Sequence, residues 1–141
     1  MRYFQDGERG KDSGSTRRPT AAGRFVAYIA LTDQPTGPIF VWNSRTGATR
    51  VFSAINASEL RAHGSAPPVT SLVLTPSGRA AWIVGPTDAQ GTHVVRTTDH
   101  ATRSTTSVVA SGTDIAPRSL AVADGVLYWT QGSTARSALF P

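Results

Sequence analysis

Cysteine is absent from the 141 residues, methionine occurs once, and lysine occurs once against thirteen arginines; aromatic residues make up 8% and charged residues 16%. The lack of cysteine rules out a disulfide scaffold, a thiolate metal site and a cysteine nucleophile, and leaves the compartment open. Long hydrophobic runs are missing too. The longest is 25–31, far below the roughly 18 residues that a membrane helix needs. The first 24 residues carry charges where a secretory signal would place its apolar stretch. The chain as it stands therefore reads as soluble, with no membrane span and no leader. At this length it holds one domain at most.

Catalytic signatures are equally scarce. No G-x-S-x-G nucleophile elbow, GxGxxG turn, P-loop, HExxH or EF-hand loop occurs. Three histidines are present, of which His93 and His100 lie close together, with Asp88 and Asp99 the carboxylates nearby. Such a set is better read as loop residues in solvent than as a metal or acid–base site. The expectation is a protein that is not an enzyme, with no cofactor and no metal.

The net charge of +5 divides between a tail and a body. Residues 1–24 hold six basic residues against three acids, and the remainder holds eight arginines against five aspartates and one glutamate. In the body Arg45, Arg50, Arg61, Arg79, Arg96, Arg103, Arg118 and Arg136 stand singly, whereas nucleic-acid binders cluster basic residues and interleave aromatics. They read as a solvated surface, and no nucleic-acid partner is expected.

What is present is a texture of short strands. Residues 5–22 contain no Val, Ile, Leu, Phe, Tyr or Trp, too little apolar surface to offset the entropy of ordering them, so 1–22 is expected to be a disordered tail. From residue 23 onward, runs rich in β-branched and aromatic residues alternate with Gly, Pro, Asp, Asn and Ser. The runs predict ten strands at 24–31, 38–43, 49–53, 69–75, 79–84, 92–97, 106–110, 119–123, 126–130 and 135–140. One short helix is predicted at 56–64, opened by Asn56 with Glu59 three residues on and closed by Gly64. By alternation Leu72, Leu74, Trp82, Ile83, Val94 and Val108 belong to packed faces.

The strands repeat. Ser71-Leu72-Val73-Leu74, a turn ending in Gly78, then Arg79-Ala80-Ala81-Trp82-Ile83 matches Ser119-Leu120-Ala121-Val122, a turn ending in Gly125, then Val126-Leu127-Tyr128-Trp129-Thr130. A third copy of the second half begins at Gly23. The three glycines are 55 and 47 residues apart, close to the period of a propeller blade. Each copy continues with a Gly-bearing loop and a third strand, and two of them with a polar turn and a fourth strand, the meander of a four-stranded blade.

On these residues, 69–140 resembles the last blades of uncharacterised bacterial β-propeller proteins of the TolB-type and WD-type kind, with a shorter copy at 23–53. The resemblance implies an all-β fold and an exported, envelope or extracellular setting, and carries over no catalytic residue. The fold expected is a partial propeller of about two and a half four-stranded antiparallel blades. It divides into the tail 1–22, a partial blade 23–53 lacking its innermost strand, a linker with the short helix at 54–68, a complete blade 69–110, and a partial last blade 111–141. Propellers close with about four to eight blades, so the chain reads as a C-terminal fragment of a longer propeller, or as one that closes with copies of itself.

Aromatic residues supply the remaining candidates. Tyr28, Trp82 and either Tyr128 or Trp129 are expected between blades, where each buries a large area. Trp42, on a third strand, is expected to be partly exposed, and beside Asn43 and Arg45 it forms the candidate ligand-binding site, able to stack on a sugar ring. Two functions follow: a non-catalytic scaffold that binds a protein or ligand or associates with itself, and, as the alternative, a lectin-like propeller that binds glycans. The third strands carry Phe40 and Trp42, then Val94 and Val95, then Ala138 and Leu139. The aromatics do not repeat, which favours the scaffold.

Overall fold

A computed structural model describes residues 19–29, 38–56, 58, 67–99 and 105–141. Among the described residues eleven strands form three antiparallel sheets in meander order. Sheet 1 contains β1 (Thr20–Ala22), β2 (Phe25–Ile29), β3 (Ile39–Asn43) and β4 (Thr49–Phe52). Sheet 2 contains β5 (Val69–Leu74), β6 (Ala80–Val84), β7 (His93–Thr98) and β8 (Thr106–Gly112). Sheet 3 contains β9 (Ala121–Ala123), β10 (Val126–Gln131) and β11 (Thr134–Leu139). The predicted helix at 56–64 lies almost wholly outside the described residues, as does the tail up to residue 18.

Two expectations are corrected. Thr20–Ala22, assigned by composition to the tail, is the strand β1, pairing Thr20 with Ala27, Ala21 with Val26 and Ala22 with Phe25. Sheet 1 therefore has its innermost strand. The pairing is made by backbone groups, which need no large apolar side chain, so a strand of Thr and Ala leaves no hydrophobic signature. Val108, expected in the core, is exposed. A register shift between Val95 and Arg96 interrupts the β7–β8 ladder and displaces the alternation on β8, an edge strand.

The sheets stack in sequence order, with sheet 2 in the middle. All five residues of β6 are buried, because both faces of the strand are covered. Ala80, Trp82 and Val84 join Phe25, Ala27, Ile39, Val41 and Phe52 of sheet 1 in one core cluster. Ala81 and Ile83 join Val95, Leu127, Trp129 and Phe140 in a second. Strand periodicity of two sends alternate residues of one strand into different cores.

The hairpins between first and second strands differ in chemistry. Gly78 ends the three-residue turn Pro76-Ser77-Gly78, with its amide on Thr75 O at 3.0 Å and Thr75 N on Arg79 O at 2.8 Å. Its φ of +89° suits glycine, and a Cβ there would lie 2.7 Å from the Phe25 ring. In sheet 3 Asp124 and Gly125 form a two-residue turn, both at positive φ, as type I′ hairpins require. In sheet 1 the two-residue turn is Gly23-Arg24, with glycine first.

This difference shifts the repeat. Counted from the pairs that close the hairpins (Ala22 with Phe25, Thr75 with Arg79, Ala123 with Val126), Tyr28 takes the place of Trp82 and Trp129. Aligning glycine with glycine would put Ala27 there instead.

Candidate functional site

The three first strands, β1, β5 and β9, each form one edge of their sheet, and β5 lies next to both β1 and β9. The sheet edges therefore converge on one side of the molecule. On β5 the ends, Val69 and Leu74, are buried, while Thr70, Ser71, Leu72 and Val73 stay half-buried between them. The neighbouring β6 is buried throughout, so the exposure of β5 arises from its edge and not from an uncovered sheet. The side chains along these edges are small and often hydroxylated: Thr20, Ala21, Thr70, Ser71, Ala121 and Ala123. Thr70 Oγ1 donates to Pro117 O, tying β5 to the approach to β9. Among the described residues no further strand pairs with these edges, and strand-edge backbone N–H and C=O groups beside small side chains suit an extended polypeptide.

The residues singled out from the sequence lie elsewhere. Trp42 is half-buried on the face of sheet 1 turned away from sheet 2, in the row of Val26. Asn43, one residue on, points to the opposite face by strand alternation. Its Oδ1 accepts from the backbone N–H of Arg45 at 3.0 Å and of Thr46 at 3.3 Å, so the amide oxygen is engaged in shaping the β3–β4 turn. Arg45 is exposed at that turn. Trp42, Asn43 and Arg45 are thus neighbours in sequence that do not converge on one surface.

The β6–β7 loop accounts for another candidate pair. Asp88 Oδ2 accepts from Thr92 Oγ1 at 2.6 Å, and Oδ1 from the amides of Gln90 at 3.0 Å and Thr92 at 3.1 Å. The Thr92 hydroxyl first, then the loop amides, holds the Asp88 carboxyl below its ordinary value. The His93 ring packs over Gly85, and its Nδ1 is 3.1 Å from Gly91 O. Both side chains serve the conformation of their own loop. His100 lies outside the described residues.

Arginines that the sequence placed in solvent prove to join the sheets. Arg50 of β4 donates to Gly78 O at 2.7 Å and covers the Phe52 ring, and its burial lowers its pKa. Arg79 donates from Nε and Nη2 to Thr98 O at 3.2 and 2.8 Å, and from Nη1 to Pro141 O at 3.2 Å. Its guanidinium also lies 4.5 Å over the Phe140 ring. Arg96 is 5% exposed. A planar guanidinium can bind carbonyls at its rim while its face lies on a ring, which composition alone does not reveal.

Two solved structures share this arrangement of sheets. One is the acylaminoacyl peptidase of Pyrococcus horikoshii, 14% identical, with a TM-score of 0.52 over 79% of this chain and 16% of that one. The other is the β-propeller domain of the Trilobed protease from Pyrococcus furiosus, described as having an open velcro topology. It is 18% identical, with a TM-score of 0.51 over 79% of this chain and 32% of that one. The fold is a partial β-propeller. The chain spans about a sixth and a third of the lengths of these two chains. No family model matches it, and no curated protein matches it.

These likenesses correct one expectation. The lack of a nucleophile motif predicts a chain that is not an enzyme, yet the two matched structures are an acylaminoacyl peptidase and a domain of a protease. A motif absent from this chain says nothing of residues beyond the match, which in those structures covers a minor share of the chain. Non-enzymatic status does not follow from the fold.

Proposed function

We propose that this chain is the propeller portion of a larger, peptidase-like protein, and that its converging inner edges bind extended polypeptide. The observation that carries the reading is β5: a strand in the middle sheet whose faces are covered and whose edge stays open over Thr70–Val73. The fold supports it, because the structures it resembles are an acylaminoacyl peptidase and the β-propeller domain of a protease. The division into blade segments at 23–53, 69–110 and 111–141, with β1 added to the first, and the kinship with bacterial TolB-type or WD-type propellers, belong to the same proposal. The glycan alternative has less support, since Trp42 and Asn43 face opposite ways.

Hydrogen–deuterium exchange of the full chain, with and without short peptides from a tryptic digest, tests the reading. Amides of β5, and more weakly those of β1 and β9, are expected to slow on peptide addition, because an added strand caps edge N–H groups. Unchanged exchange at β5 at saturating peptide removes the proposal.

A further inference from the structure

Which main-chain groups β5 turns to its open side follows from the hairpin that it enters. Thr75 N–H donates to Arg79 O at 2.8 Å, so Thr75 and Arg79 are a bonded pair. Bonded and non-bonded pairs alternate along an antiparallel ladder. Counted back through the register, Val73–Ala81 and Ser71–Ile83 are bonded, whereas Leu74–Ala80 and Leu72–Trp82 are not. The groups on β6 agree with this parity. Ala80 N–H turns away from β5 and donates to Thr98 Oγ1 at 3.2 Å, while Gly85 N–H turns towards the β5 side and donates to Pro68 O at 3.1 Å. Ser71 and Val73 thus commit their N–H and C=O to β6. Leu72 and Leu74 direct both groups to the open side.

Of these two residues, Leu72 is the one within reach. Leu74 is buried, whereas Leu72 lies in the half-buried stretch of the strand. Two residues before Leu72 the register shifts, leaving Thr70 outside the ladder, and the Thr70 hydroxyl is engaged with Pro117 O. The side chains of the stretch are also occupied: Leu72 packs on the core between sheets 1 and 2, and Val73 on the core between sheets 2 and 3. Recognition at this edge therefore falls to the main chain of Leu72.

The strands on either side add a second condition. β1 reads Thr-Ala-Ala, β5 Val-Thr-Ser-Leu-Val-Leu and β9 Ala-Val-Ala, with no charged side chain on any of them. Since β5 lies next to both β1 and β9, an extended chain laid on its edge sends alternate side chains towards each neighbour. A charge carried there would leave water without meeting a counter-charge on these strands, which is costly. Small uncharged side chains meet no such penalty.

We infer that a polypeptide ligand anchors on Leu72 by two main-chain hydrogen bonds, one donated by Leu72 N–H and one accepted by Leu72 O, and that the segment it presents is an uncharged, proline-free stretch of about three residues in extended form. Proline is excluded because it has no N–H to give to Leu72 O. The inference rests on the peptide-binding reading above and names the class of sequence that the same edge takes. Selection here acts against charge and against proline, and not for one particular side chain, because the anchor is backbone on both partners.

The test titrates the whole chain with the blocked pentapeptide acetyl-Ala-Val-Ala-Val-Ala-amide and follows single amides by NMR hydrogen exchange. The Leu72 amide is expected to slow, and those of Ser71 and Val73, already bonded to β6, to stay as they were. A pentapeptide methylated on every backbone nitrogen should bind about tenfold more weakly, the worth of a lost hydrogen bond. One methylated only at its second and fourth residues keeps one strand edge intact and should bind as the parent does. Analogues with both valines replaced by Asp, or both by Lys, should again be about tenfold weaker or worse. In the protein, Leu72→Pro removes the outward N–H without taking a bond from β6 and should weaken the parent peptide about tenfold, whereas Leu72→Ala keeps the N–H and should bind it as the wild type does. If Leu72→Pro does not fold, the peptide series decides alone. Parent binding that slows β1 or β9 but not Leu72, or equal binding by the fully methylated or the charged analogues, overturns this inference and leaves the peptide-binding reading in place. No slowing anywhere on β1, β5 or β9 at saturating peptide removes both.

Discussion

Trp82 donates its indole N–H to the carbonyl oxygen of Ala54 at 3.0 Å, from the second strand of sheet 2 to the segment that leaves sheet 1. Both residues are fully buried. One side chain thus fills the core between two sheets and satisfies a backbone acceptor on the crossing segment. The equivalent Trp129 is buried, and its Nε1 has no hydrogen-bond partner among the described residues. The two interfaces share their packing and differ in their polar bond.

Replacing Trp82 with Phe is expected to lower stability by about 1–3 kcal/mol, since Ala54 O loses its donor in a buried place. Replacement with Ala should cost about 3–5 kcal/mol through the cavity left behind. Trp129→Phe should fall below Trp82→Phe, having no bond to lose. Urea denaturation followed by circular dichroism ranks the three, and the reverse order between the two Phe variants would contradict the hydrogen-bond assignment.

Gly78→Ala is expected to destabilise by about 1–3 kcal/mol from backbone strain at positive φ, with a further penalty because the new Cβ meets the Phe25 ring at 2.7 Å. Gly47 also has a positive φ, of +77°, but nothing lies within 4 Å of its Cβ position. Gly47→Ala therefore isolates the strain. The difference in denaturation midpoint between the variants reads the close approach of Phe25, and equal midpoints would show that the ring moves aside at no cost.

Arg79→Lys should loosen the end of sheet 3 while leaving sheet 1 intact. A single ammonium cannot reproduce two bonds to Thr98 O, one to Pro141 O and a face laid on Phe140. Faster amide exchange is expected at 138–140 and not in β2 or β3. Uniform acceleration over the whole chain would point to global destabilisation instead.

The Asp88 carboxyl titrates below its ordinary value of 3.8, chiefly because the Thr92 hydroxyl stabilises its charged form. For an acid whose folded pKa is depressed, the contribution to stability is present above the ordinary value and is lost as pH falls through the folded one. The loop at 87–92 should therefore hold its structure to lower pH than a free aspartate would allow. Thr92→Val should move the Asp88 pKa up, towards 3.8, as read by the carboxyl carbon shift in NMR. No movement would show that the amides of Gln90 and Thr92 suffice.

Much of this architecture was legible in the residues. Alternating runs bounded by Gly, Pro and Asp set the positions of ten strands, and the recurrence of Gly78-Arg79-Ala80-Ala81-Trp82 at Gly125-Val126-Leu127-Tyr128-Trp129 implied repeated hairpins. These are local properties, decided by backbone sterics at turns and by the period of a strand. Three things were decided only in three dimensions. β1 exists because its Thr and Ala backbone finds an open edge on β2, a long-range pairing with no side-chain signature. Arg50 and Arg79 join sheets because folding brings carbonyls and rings within their reach, whereas in sequence they are isolated charges. Tyr28 takes the place of Trp82, and Tyr128 that of Ala27, because register is counted from the hairpin's closing pair and not from its glycine. A turn with glycine first instead of second shifts the count by one residue, and in a strand one residue exchanges the two faces.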